Sequence, residues 1–167
     1  MKTILVMLLL TGLGAAARAD QIPNRLIDYS GFRQIVLTSQ TERESHRLTE
    51  QQFISAMQEP GVVLLDARTA NKYALRHVKG AVNLQFTDFT ADTLAAAIPA
   101  KTTKILIYCN NNFTGSPNAL ASKMPSASLN LNTYTSLRAY GYTNIYELGP
   151  LLDVRTTSIP FDGAEVK

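Results

Sequence analysis

A chain of 167 residues with 46% hydrophobic side chains suffices for one domain with a sizeable core. The formal charge of +3 comes from 16 basic and 13 acidic side chains; two of the basic ones, Lys2 and Arg18, belong to the apolar N-terminus, so the rest is close to neutral. No basic stripe with interleaved aromatics runs through it, which argues against a nucleic-acid partner, and the single cysteine, Cys109, excludes an internal disulfide.

In chain order, Lys2, the apolar run 4–13 and Ala17-Arg18-Ala19 read as the n-region, h-region and cleavage site of a signal peptide over residues 1–19. The h-region is too short to span a bilayer. The expectation is an exported protein, in the bacterial periplasm, that begins at Asp20 and has no stable membrane insertion after cleavage. Residues 20–48 read as an N-terminal extension, irregular over 21–31, with a possible first strand at 34–37. The charged stretch 41–47, which includes His46, is expected to be solvated.

Thr49 with Gln52 forms a capping box that predicts a helix over 50–58, ended by Pro60-Gly61. Residues 62–65, continuously apolar, read as a buried parallel strand. A helix over 69–75, a turn at 77–81, a strand at 82–84 and an alanine-rich helix over 92–98 follow. Residues 105–108 are the next strand. Ser116 as N-cap and Pro117 at the first position predict a helix over 117–123. Asn132 is expected to cap a helix over 133–140 with Gly141 after it, and 144–148 is the last strand. Residues 153–167 read as a C-terminal tail. Strands alternating with short helices argue for an α/β domain with a mainly parallel sheet. Tyr134, Tyr140, Tyr142 and Tyr146 are expected to pack on that sheet.

Cys109 closes the strand at 105–108 and precedes the polar loop Asn110-Asn111-Asn112-Phe113-Thr114-Gly115. That is the carboxyl end of a strand, where open parallel sheets place their ligand crevices. A leftover thiol in an exported chain reads as a reactive group or as one half of an intermolecular pairing. The alternative is a buried cysteine acting as a small apolar residue.

The order Asp66-Ala67-Arg68, His77-Val78-Lys79-Gly80-Ala81, strand-Cys109-loop, then Gly141-Tyr142-x-Asn144-Ile145-Tyr146-x-Leu148 resembles the rhodanese-like domain, over residues 49–152. The resemblance implies a small five-stranded parallel sheet flanked by helices. It also implies sulfurtransferase activity through a persulfide on Cys109, with no cofactor, and a small sulfur-containing anion or a protein thiol as partner. Asp66 and Arg68 would link the sheet to the active loop, and His77 would be a structural turn residue. A loop whose backbone N–H groups curl around the thiol would stabilise the thiolate, and asparagines tolerate the left-handed backbone that such a curl needs. A helix starting just after the loop would add its dipole.

Many rhodaneses carry arginine at the places held here by Asn110 and Thr114. Without them, weak use of thiosulfate is expected, and Asn110→Arg is expected to improve it. Arg76 and Lys79 are the candidates for a replacement cation, unless they are solvated. The competing reading is a rhodanese-like module that binds a small anion or a partner protein without efficient catalysis. A phosphatase-like use of the loop lacks the arginine clamp that phosphate transfer requires. Two histidines with one cysteine make no zinc spacing, so no metal is expected.

Overall fold

The computed structural model describes residues 24–166. They form α1 (Tyr29–Ser45), β1 (Arg47–Leu48), α2 (Glu50–Met57), β2 (Val63–Asp66), α3 (Ala70–Leu75), β3 (His77–Val78) and β4 (Val82–Asn83). After these come α4 (Ala91–Ala97), β5 (Ile105–Tyr108), β6 (Phe113–Thr114), α5 (Leu129–Ala139), β7 (Ile145–Leu148), β8 (Leu152–Asp153) and β9 (Phe161–Asp162). The signal peptide and its cleavage point lie outside the described residues. No helix among those described is long and apolar enough to cross a membrane.

Period-two alternation in strands buried on both faces sets the layers. Leu64, Leu106 and Tyr108 point to one face and meet Phe53 and Ala56 of α2. Leu65, Ile105 and Ile107 point to the other and meet Leu94 of α4 with Tyr134 and Leu137 of α5. The five strands run in the order β1-β7-β5-β2-β4, and every neighbouring pair is parallel. β5 is central, so the residue that follows it emerges in the middle of the carboxyl edge.

The expected capping box is present: Gln52 N–H donates to Thr49 Oγ1 at 3.3 Å, and Thr49 N–H to Gln52 Oε1 at 2.9 Å. Gly141, at φ +85°, follows the C-cap of α5. Its left-handed backbone is what lets Tyr142 N–H turn back to Leu137 O at 3.0 Å.

Five expectations are corrected. The strand at 34–37 is helix, because Gln34 to Leu37 lie inside α1. A four-residue apolar run does not distinguish strand from helix, and here α1 packs along α5 and buries Ser39. The stretch 41–47 is not simply solvated: Arg43 and Arg138 form ion pairs with Glu147 and Glu42, and His46 stacks on Tyr146 at 4.3 Å. The helix over 117–123 is reduced to one turn, Leu120 N–H to Ser116 O at 2.7 Å. Side chains of Lys72, Arg68, Asn110 and Asn111 take the carbonyls of Asn118, Ala119, Ala121 and Lys123, respectively. Tertiary hydrogen bonds thus replace the helical ladder. α5 begins four residues earlier than expected, at Leu129, with Ser128 as its N-cap. Tyr140 is 37% exposed, whereas Tyr134 and Tyr142 are buried.

The segments flanking 49–152 join the same body. β1 is the sheet's edge strand. Ile159 is buried, and β9 pairs antiparallel with β3. Glu50 Oε1 accepts from Thr157 Oγ1 at 2.5 Å and Ser158 N–H at 2.6 Å. Those bonds hold the Glu50 carboxyl below its ordinary value. A depressed carboxylate contributes stability above its unfolded-state value and loses it as the pH falls through the folded one. Glu50→Gln is therefore expected to cost about 1 kcal/mol at pH 7 in urea unfolding. The difference should begin to shrink near 4.5, the ordinary glutamate value, and close as the pH falls through the lower folded value; a pH-independent difference would contradict this.

Candidate functional site

Cys109 continues the alternation of Ile105 and Ile107 and so falls on the α5 side of the sheet. Its backbone is extended (φ −146°, ψ −178°), and the side chain is only 1% exposed. The thiol borders a cavity of about 400 Å³ shared with Arg43, Arg47, Ser128, Asn130 and Glu147. Sγ lies 3.4 Å from Ser128 Oγ. Ser128 is the N-cap of an eleven-residue helix and its hydroxyl makes no capping bond. The helix N-terminus beside the thiol is thus that of α5, not that of the helix expected at 117–123.

The asparagine loop behaves differently from the amide cradle expected of it. Among the described residues no non-glycine residue has positive φ, and Asn110–Asn112 form a right-handed 3-10 turn. Cys109 N–H donates to Asn112 Oδ1 at 2.9 Å and Phe113 N–H to Asn110 O, while Asn112 N–H is shared between Cys109 O, at 3.1 Å, and the Cys109 side chain. The asparagines act as staples. Asn110 Nδ2 donates to Ala121 O, and Asn111 exchanges two bonds with Lys123. Asn112 Nδ2 reaches Leu148 O at 2.7 Å. Phe113 is core, at 0% exposure, and Thr114 pairs with Asp153. Gly115 sits at φ +87°, a left-handed backbone that favours glycine. None of these last three residues borders the Cys109 cavity.

Asn110 faces a different cavity, lined by Arg68, Phe86 and Ala119 among others. An arginine at 110 would give up the Asn110 Nδ2 bond to Ala121 O and start from the wall of that cavity rather than of the one Cys109 borders. Asn110→Arg is thus expected to lower stability by about 1–3 kcal/mol without improving thiosulfate use, opposite to the expectation from sequence. Thermal unfolding with parallel kinetics checks this; a stable, faster variant would refute it.

Asp66 and Arg68 form a buried pair, with Arg68 Nη2 2.5 Å from Asp66 Oδ2 and side chains 4% and 0% exposed. Burial opposes the guanidinium charge, but Asp66 outweighs it and holds Arg68 above its ordinary value. Arg68 also donates to Ala119 O at 3.1 Å and Arg76 O at 2.8 Å. Tyr108 donates its phenol to Asp66 and accepts from Val78 N–H. Burial, and then Asp66, push that phenol well above the usual tyrosine value, so it stays a donor. The pair connects the ends of β2 and β5 to the segment beyond the cysteine loop. His77 lies in β3, stacks on Tyr73 at 3.7 Å and bonds Tyr73 O through Nδ1.

The replacement cations are not Arg76 and Lys79. Arg76 donates to Glu165 O at 2.6 Å and covers Phe161, Lys79 is exposed, and neither borders the thiol cavity. The cations there are Arg43 and Arg47. Arg43 grips both oxygens of Glu147 at 2.7 and 2.8 Å, and Arg47 Nε reaches Oε1 at 3.1 Å. Burial pushes the Glu147 carboxyl up, and the two guanidiniums pull against it. The net effect leaves that carboxyl above its ordinary value. Two cations and at most one anion leave the cavity wall net positive. The signal in the sequence was Glu147 itself, a carboxylate at a core-facing position of an apolar strand, which demands a buried cation. No cluster of three or more His, Cys, Asp or Glu among the described residues is arranged to hold a metal ion.

The model of the rhodanese-like domain matches residues 49–149, and the chain belongs to that family. No curated protein matches the sequence. Among solved structures, a Bacillus halodurans protein aligns with TM-score 0.53 at 14% identity, over 81% of this chain and 91% of that one. The rhodanese-like domain of an Anabaena sp. protein aligns with TM-score 0.50 at 20% identity, over 72% of this chain and 80% of that one. At these identities the likeness is one of fold.

Proposed function

We propose that the protein is a sulfurtransferase that carries sulfane sulfur as a persulfide on Cys109. The observation that carries this reading is the thiol's position, at the carboxyl end of the central strand and 3.4 Å from the N-cap hydroxyl of α5. The chemistry requires a thiolate that attacks the outer sulfur of a donor. A bond forms from Sγ to that sulfur, the donor's S–S bond breaks, and its electron pair leaves with the remainder of the donor. The Cys109 persulfide then passes its outer sulfur to an acceptor nucleophile. The α5 dipole and the Arg43–Arg47 side of the cavity favour the anionic forms on both sides of the step. Mass spectrometry of Cys109 after exposure to a sulfane donor tests this: a one-sulfur increment is expected.

The low exposure of Cys109 favours a second reading, an anion- or partner-binding module. Under it the thiol gains no sulfur from any donor. For localisation, the order of residues 2–19 supports export with Asp20 as the first mature residue. N-terminal sequencing of protein from native cells tests that directly, and retention of Met1 would rule it out.

A further inference from the structure

We propose that the first half of α1, with the residues just before it, is a membrane-surface docking site that rests in the headgroup layer of an anionic bilayer without crossing it. Such docking does not depend on sulfur transfer by Cys109.

The first observation is where the exposed apolar surface lies. Among the described residues ten large apolar side chains are exposed, and six of them fall within 26–37: Leu26, Ile27, Tyr29, Phe32, Val36 and Leu37. Single exposed apolar side chains are ordinary, whereas a cluster of them marks a contact surface. Leu26, Ile27 and Tyr29 are 87%, 72% and 74% exposed, so they stand out from the body instead of lining a groove. Tyr29, Phe32 and Val36 follow one another at the i, i+3, i+7 spacing of one helix face. The far half of α1 is fastened down: Ser39 is buried, and Arg43 and Glu42 pair with Glu147 and Arg138. The fold thus holds the helix by its polar end and presents its apolar end outward.

The second observation is charge. Residues 24–40 hold Arg25 and Arg33, both exposed, against one acid, Asp28, whose Oδ1 caps the helix by accepting from Gly31 N–H at 2.8 Å. An anionic headgroup layer complements that sign. A second copy of the chain does not, because a two-fold contact through the same patch would set net positive surface against itself. A protein partner needs sockets shaped for the protruding side chains, whereas a fluid acyl boundary receives them in any arrangement. Tyrosine and arginine are also residue types suited to the bilayer interface. The residues that precede Asn24 carry the apolar run 4–13, so the patch adjoins, in sequence, a segment that reads as membrane-directed. From Phe32 to Arg43 the helix rises about 16 Å. A bilayer on the patch therefore keeps the Cys109 cavity, which Arg43 borders, close to the membrane surface.

The test is co-sedimentation with lipid vesicles of the chain beginning at Asp20, which contains every described residue. Partition into vesicles containing phosphatidylglycerol is expected to exceed partition into pure phosphatidylcholine by at least about fivefold at low salt, and to fall as salt rises. Leu26→Ser with Phe32→Ser, both at exposed positions, should leave melting unchanged and lower partition by at least about tenfold. Arg25→Gln with Arg33→Gln should lower it by about tenfold on the anionic vesicles and leave the phosphatidylcholine value unchanged. Val82→Ser, at an exposed apolar position on β4, should change neither. Absence of partition into the anionic vesicles, or partition within about twofold of wild type after Leu26→Ser with Phe32→Ser, overturns the proposal. A chain that pairs with itself in sedimentation equilibrium, loses that pairing with Phe32→Ser and ignores vesicles overturns it in favour of a second copy.

Discussion

Arg68→Ala is expected to lower the unfolding free energy by about 3–5 kcal/mol, the cost of leaving one member of a buried ion pair without the other. The loss has several parts. Asp66, fully buried, keeps only the Tyr108 phenol and its local N–H contact as partners. The carbonyls of Ala119 and Arg76 lose the donors that Arg68 supplies. Ala119 belongs to the segment whose neighbours are stapled to the asparagine loop, so the surroundings of Cys109 should loosen as well. Urea unfolding gives the magnitude, and the alkylation rate of Cys109 gives the local effect. The double variant Asp66→Asn with Arg68→Met should recover part of the loss, since it removes the stranded charge. A single-variant change within about 0.5 kcal/mol, with unaltered alkylation, would show that the pair does not tie the sheet to the loop.

Cys109→Ser is expected to reduce sulfur transfer to the level seen without protein. Serine matches the shape of cysteine, so the packing beside Ser128 and Asn112 should persist and melting should change little. Its hydroxyl is not ionised at neutral pH and does not form a stable bond to sulfane sulfur, whereas the thiolate does both. The chain has no second cysteine to take over. Loss of the one-sulfur adduct together with loss of transfer to an acceptor thiol is the expected pair of results. Transfer that survives the substitution would place the chemistry elsewhere. An unmodified wild-type thiol with every sulfane donor would favour the binding module.

Local patterns carried the parts of the fold that depend on neighbours in sequence. The strand at Ile105–Tyr108 was legible because four consecutive apolar residues ended at a polar loop, and that placed Cys109 at the sheet's carboxyl edge. Thr49 with Gln52, and Gly141 after α5, were legible because capping is a contact across a few residues. Asp66 and Arg68 were legible as a pair at a strand end, although their burial was not. Tertiary structure decided the rest. The apolar run at 34–37 suits helix or strand equally, and packing on α5 selected helix. The turn at 117–123 lost its helix to side-chain donors from Arg68, Lys72, Asn110 and Asn111, of which Arg68 is 51 residues away from Ala119. The asparagines after Cys109 looked like a cradle for an anion, yet their side chains fasten the loop to its surroundings. The positive charge beside the thiol comes instead from Arg43 and Arg47, brought there by Glu147, which is 104 residues beyond Arg43. A sequence read alone shows a stretch of charges and a carboxylate in a strand. That they meet beside Cys109 follows from the parallel pairing of β1 with β7.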